Sequence, residues 1–376
     1  MSTRLNSPSF VSEVQSLVNG TVPSADNNSI DTGLVAWNKM KIILDESTTG
    51  NQVFNNAIIS TYSLVYTGGG VYIGGVLAPN GDVHLVPSNG NRGQKISGSG
   101  VVSTYSLVYT AVNAYWGGVL DSNGSINFIP YNANRGQRLN SSGVVSTYSL
   151  VYTTTAAYYG GVLSPNGDIH FVPLSARVGQ KVSSSGVVST YSLVYTGSFA
   201  YNGGVLAPNG DIHFVPYVAG IGQKISSAGV VSTYSLVDVS AFAGGVLSSN
   251  GDIHFVPWNG PIGQKVSIAG VVSTYSLVYT LPSSQGSYYC GVLSPDGDVY
   301  FVPFTAAVGQ KVSSSGVVST YSLISTNSSG AYVGGVLTPT GDIHFIPYFA
   351  SRVTKFSTLS GFDFKNIALS PFFNKF

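Results

Sequence analysis

Apolar and hydroxyl side chains take turns along Val144-Val145-Ser146-Thr147-Tyr148-Ser149-Leu150-Val151-Tyr152-Thr153, and most of them are β-branched or aromatic. A period of two in such residues predicts a half-buried strand. Three more strand signals follow at Ala157-Tyr158-Tyr159-Gly160-Gly161-Val162-Leu163, Asp168-Ile169-His170-Phe171-Val172 and Gly179-Gln180-Lys181-Val182-Ser183. Between the second and third lies Ser164-Pro165-Asn166-Gly167. Asn-Gly accepts positive φ at successive residues, which a tight hairpin turn demands. Pro173 ends the third strand, because it brings no N–H to the ladder.

The same four signals recur down the chain. The second glycine of each copy is Gly75, Gly118, Gly161, Gly204, Gly245, Gly291 and Gly335, at intervals of 43, 43, 43, 41, 46 and 44 residues. A period of this size marks a repeat architecture. Four short antiparallel strands per unit with no helix between them predict an all-β fold. The expectation is a β-propeller of four-stranded antiparallel blades, with seven full repeats between about residues 57 and 356. An aromatic stands two residues before the first glycine position of each unit, as in Tyr115 and Tyr158. It is expected to fill the gap that glycines leave on a neighbouring blade.

The ends depart from the period. Residues 1–32 carry no repeat and read as an arm or linker rich in Asn, Ser and Gly. Residues 33–53 resemble a worn half-repeat, with Gly33-Leu34-Val35 in the place of Gly-Val-Leu and Gly50-Asn51-Gln52-Val53 in the place of Gly179-Gln180-Lys181-Val182. Together with Gly361-Phe362-Asp363-Phe364-Lys365-Asn366-Ile367 they would build an eighth, hybrid blade, so the propeller is expected over 33–368 and the count leans to eight. If the ends lie outside the ring, the count is seven. Residues 369–376 form an aromatic tail, expected to dock on something rather than stay in water.

Composition narrows the function. Lys plus Arg is 16, Asp plus Glu is 15, and charged residues are 8% of 376, against roughly a quarter in an average soluble domain. No basic surplus is available for nucleic acid. The single cysteine, Cys290, excludes an intramolecular disulfide. The amino terminus lacks the apolar core of a signal peptide, and no apolar run is long enough to span a membrane.

Two rings of polar residues follow the repeat. His84, His170, His213, His254 and His344 share one position, which Asn127 and Tyr300 fill in the other two units. Such a ring would bind metal or sense pH, but a metal needs three or four ligands at about 2 Å, and separate blades hold these rings apart. A structural role is favoured, with no metal site and no cofactor expected. The second ring is Lys95, Arg138, Lys181, Lys224, Lys265, Lys311 and Lys355; six acids, Asp82, Asp168, Asp211, Asp252, Asp298 and Asp342, are placed to pair with it. A catalytic centre must break the symmetry and hold a base beside a nucleophile. Ser and Thr repeat in every unit, and the only glutamates are Glu13 and Glu46, so the chain is expected not to be an enzyme. The symmetry breaks in the loop before each Gly-Gly strand. It breaks too at Trp116, Tyr131, Trp258, Phe304 and Tyr348, which are candidates for stacking on sugars or a protein partner; alternatively they cover blade faces.

The unit Tyr-x-Gly-Gly-Val-Leu-x-Pro-Asn-Gly-x-Ile-x-Phe-Val-Pro resembles repetitive propeller-type proteins of large DNA viruses, some phages and trypanosomatid protists. The ending Asn374-Lys375-Phe376 is similar to endings seen there. The hydrophobic-then-Gly-Gly pattern also resembles kelch blades, without the kelch tryptophan. The resemblance implies a non-enzymatic structural or interaction protein of a virion or an intracellular assembly, with protein partners or further copies of itself. The alternative is a glycan-binding, lectin-like propeller.

Overall fold

A computed structural model describes residues 58–357, apart from 281–285, 324–329, 340 and 351. The arm at 1–32, the half-repeat at 33–53 and the segment 358–376 lie outside the described residues.

The chain forms seven four-stranded antiparallel sheets arranged in a ring. Blade 2 shows the plan: Tyr115–Leu120 is innermost, followed outward by Ile126–Pro130, Arg135–Leu139 and Val145–Ser149. Blades 1 to 6 span 72–106, 115–149, 158–192, 201–234, 242–276 and 288–321. Blade 7 takes three strands from 332–357, and its outermost strand is Ile58–Ser63. The blade is therefore offset from the sequence repeat by one strand: Val145–Ser149 finishes blade 2 and does not start blade 3. That offset leaves Ile58–Ser63 without a blade of its own, and it pairs through its whole length with Arg352–Ser357. The pairing joins the two ends of the ring with no open edge between blades. The ring therefore closes at seven, and the lean to eight is corrected.

The inner strand carries a Gly-Gly pair in six blades and Cys290-Gly291 in blade 6, and the structure gives the two positions separate reasons. The second one packs on the neighbouring blade: a Cβ at Gly118 would lie 2.7 Å from Val76 and 3.1 Å from Val86, and one at Gly204 would lie 2.8 Å from Val162. Valines from the preceding blade fill the gap, so the expectation that Tyr fills it is corrected. The tyrosine instead packs within its own blade. Tyr115 sits 5.8 Å from Phe128 and donates its hydroxyl to the Arg135 carbonyl at 3.2 Å. The first glycine sits at a bulge and faces the ring axis. Gly117 has φ +94°, and a Cβ there would lie 2.8 Å from the Gly160 Cα. Backbone meets backbone at Gly117 in a left-handed conformation, which favours glycine there; blade 6 holds Cys290 at the equivalent position.

Blade-to-blade links are stapled by a buried glutamine in the third strand. Gln137 Oε1 accepts the N–H groups of Val108 and Tyr109 at 3.0 and 2.8 Å, where the chain crosses from blade 1 to blade 2. The same bond pair recurs at Gln94, Gln180, Gln223, Gln264 and Gln310. Gln94 ties the residues after Ile58–Ser63 to blade 1, so that strand is held from both sides. Among the described residues no helix is long and apolar enough to cross a membrane.

Candidate functional site

Seven otherwise similar inner strands differ at the residue before Gly-Gly. It is Ile73, Trp116, Tyr159, Asn202, Ala243, Tyr289 and Val333 in blades 1 to 7, and these side chains line the central channel. A second variable position follows the strand-ending proline: Ser88, Tyr131, Leu174, Tyr217, Trp258, Phe304 and Tyr348. The two sets meet in a basin of about 260 Å³ continuous with the channel.

The basin is aromatic. Trp116 stands 4.8 Å from Tyr131 and 5.0 Å from Tyr159, and Trp258 stands 5.0 Å from Phe304 and 5.6 Å from Tyr289. Phe304 continues to Tyr348 at 6.1 Å. Trp116 Nε1 donates to the Tyr289 hydroxyl at 3.1 Å, so blades 2 and 6 are bridged across the channel mouth. Burial holds the Tyr289 hydroxyl well above its ordinary pKa, and it stays a neutral donor and acceptor. The lining carries no charged side chain. Its buried amide is Asn202, 6% exposed, whose Oδ1 finds no donor among the described residues. A buried carbonyl without a donor costs free energy, which a ligand hydroxyl would recover. Cys290 lies on the channel wall, and burial pushes its thiol up to about 12, so it is no ready thiolate nucleophile.

All five aromatics singled out in the sequence, Trp116, Tyr131, Trp258, Phe304 and Tyr348, line this one basin. Tyr159, Tyr217, Tyr289, Phe199 and Asn202 line it too and were missed. The signal was present: aligning the units exposes the residue before Gly-Gly as the position that differs from blade to blade.

The two polar rings lie elsewhere. The five histidines are 6–7% exposed and sit one per blade. His170, His213 and His254 meet the hydroxyls of Tyr191, Tyr234 and Tyr275 at 3.2–3.3 Å through Nδ1. Burial first, then for four of them the nearby lysine, lowers the pKa of each imidazole to about 4; for His344 burial is again the largest cause. Among the described residues no three His, Cys, Asp or Glu side chains gather as metal ligands. Each cation of the basic ring pairs within its own blade, as Lys95 does with Asp82 at 2.6 Å. Arg138 had no acid at the equivalent position; the turn before its second strand supplies Asp121 at 3.8 Å.

No protein-family model matches the chain. No curated protein sequence matches it either. Solved structures do. A streptogramin B lyase superposes with a TM-score of 0.72 at 19% identity, covering 81% of this chain and 99% of that one. Virginiamycin B lyase from Staphylococcus aureus, in a catalytically inactive variant with quinupristin, gives 0.70 at 19%, covering 80% and 98%. The hydrazine synthase of Kuenenia stuttgartiensis gives 0.61 at 12%, covering 80% and 98%. At such identities the likeness is one of fold. It still corrects the expectation that this chain is not an enzyme, which rested on the repeated Ser and Thr, the lack of glutamates in the repeats and the resemblance to non-enzymatic propellers. Propellers of the same shape include lyases, and here the symmetry fails at the channel mouth, where seven blades present six residue types at one position.

Proposed function

We propose that this propeller is a recognition protein whose channel-mouth basin binds a neutral carbohydrate. The observation that carries the reading is the basin itself: uncharged, walled by Trp116, Tyr159, Trp258, Tyr289 and Phe304, with the unpaired Asn202 carbonyl buried in its wall. Sugar rings present flat C–H faces to aromatic planes and hydroxyls to amides and phenols, and this lining supplies both partners. The absence of charge in the lining disfavours acidic sugars and nucleotides. A pocket that is mostly apolar with a few convergent polar groups is also the usual form of a small-ligand site.

The test is a glycan array followed by calorimetric titration of the best neutral oligosaccharide. One site per chain is expected, with Trp116→Ala and Asn202→Ala each weakening binding at least tenfold while the melting temperature holds. Equal binding by both variants, or seven equivalent sites per chain, would remove the basin from the reading.

A further inference from the structure

The rim of the ring behaves in the opposite way to its mouth. The outermost strand of every blade contains Ser-Thr-Tyr-Ser, from Ser60–Ser63 through Ser103–Ser106 to Ser319–Ser322. Its outer edge pairs with no other strand among the described residues. A valine precedes it in six of the seven units, as Val101, Val144, Val187, Val230, Val271 and Val317, and a valine follows it in six, as Val65, Val108, Val151, Val194, Val237 and Val278. All twelve are 58–65% exposed.

Unpaired strand edges invite another strand, and proteins that avoid this blunt them with lysine, proline or a bulge. None of these devices is present: from the flanking valine to the Ser-Thr-Tyr-Ser, no rim carries a charge or a proline. The rims also agree with one another at exposed positions, although exposed positions in the loops of the same repeats differ.

We infer that the rim is a docking edge for a second copy of this chain, formed by antiparallel pairing of two outer strands. Three features select a second copy as the occupant. An antiparallel edge is complementary to itself about a two-fold axis, with each strand giving and receiving the same hydrogen bonds. The edge is uncharged in a chain of net charge +1, so no field repels a copy or attracts a charged partner. Seven matching edges let any rim meet any other, and a change in one rim would spoil its fit to the rest. One such contact covers on the order of a few hundred Å², short of the roughly 1,000 Å² that a lasting interface needs. The assembly is therefore multivalent, and it gains strength as several rims engage at once.

Sedimentation velocity on the full chain across the micromolar range tests this, beside a variant bearing Val101→Lys, Val144→Lys, Val187→Lys, Val230→Lys, Val271→Lys and Val317→Lys. These side chains face solvent, so the variant is expected to melt with the wild type. The wild type should grow in mass with concentration, and the variant should stay a monomer. In the assembled fraction, outer-strand amides such as those of 145–149 should exchange with deuterium more slowly than in the monomer. A wild type that is monomeric throughout overturns the inference. So does a lysine variant that assembles as well as the wild type, or slowed exchange confined to other segments. Sugar binding at the basin is a separate property, and its success or failure leaves this outcome unchanged.

Discussion

The channel mouth and the rim are built from the same repeat and have opposite patterns. At the mouth, Ile73, Trp116, Tyr159, Asn202, Ala243, Tyr289 and Val333 occupy one structural position with six residue types. At the rim, all seven units keep Ser-Thr-Tyr-Ser, preceded by Val-Val in six and by Ile58-Ile59 in one. A buried position repeats because its packing repeats, as the valines against the second glycine show. The mouth positions are mostly buried and still differ, and the rim positions are exposed and still agree, so repeated packing alone sets neither pattern. Difference at the mouth suits one asymmetric ligand on the axis; sameness at the rim suits many like contacts around it.

The largest way to break this contrast acts on the wall below the mouth. Gly117→Val would place a branched side chain at φ +94° and against the Gly160 backbone. The expected loss is about 3 kcal/mol or more, read as a collapse of the denaturant midpoint. Such a loss would remove the basin and leave each rim sequence intact.

Next comes the staple. Gln180→Ala would take the acceptor from the part-buried N–H groups of Val151 and Tyr152 and empty the buried Gln180 site. A cost of about 1–3 kcal/mol follows. Gln180→Glu keeps the shape and the acceptors but buries a charge, so it should not restore stability; urea melts of both variants check this.

Acid comes third. The folded imidazoles titrate near 4, below the unfolded value of 6.5. Between those values the unfolded chain binds the extra protons. Their contribution to stability is therefore full above pH 6.5 and falls as pH drops toward 4, by up to about 1.4 kcal/mol per unit for each histidine. The lysine beside each ring adds to the penalty, and the aspartate opposes it. Asn127 already fills this position in blade 2. His213→Asn should accordingly remove one of the five contributions and make the melting-temperature profile between pH 6.5 and 4 less steep, with pH 8 little affected.

The smallest effect belongs to the rim. Val144→Lys alone should shift stability by no more than about 0.5 kcal/mol, and Lys181→Ala, which breaks a partly exposed pair with Asp168, by no more than about 1 kcal/mol. A larger loss from Val144→Lys would mean that the valine serves the fold, and the contrast between rim and mouth would blur.

Much of this was legible in the residues. The period of the Gly-Gly strands, the Asn-Gly turns and the strand-ending prolines set the blade, because each states a local backbone requirement. The pairing of the Lys and Asp rings was legible too: each Asp lies two residues before the His position that faces the Lys, so the two charges are diagonal neighbours on one face. The closure was not. Ile58-Ile59 replaces the Val-Val of the six other outer strands, but that says nothing of partner, and only the three-dimensional ring shows which blade lacks a strand. The basin was half legible. Trp116 and Trp258 stood out by type, but the meeting of Trp116 with Tyr289 joins residues 173 apart in sequence, and no local pattern encodes it.

The central claim is that recognition sits where the blades differ. Nitrogen-labelled protein offers the most direct reading through the indole N–H resonances of Trp116 and Trp258, titrated with a neutral oligosaccharide chosen from the array. Both resonances should move together and saturate at one ligand per chain, with the outer-strand amides unmoved. Saturable shifts confined to the outer strands, with both indoles still, would contradict the account.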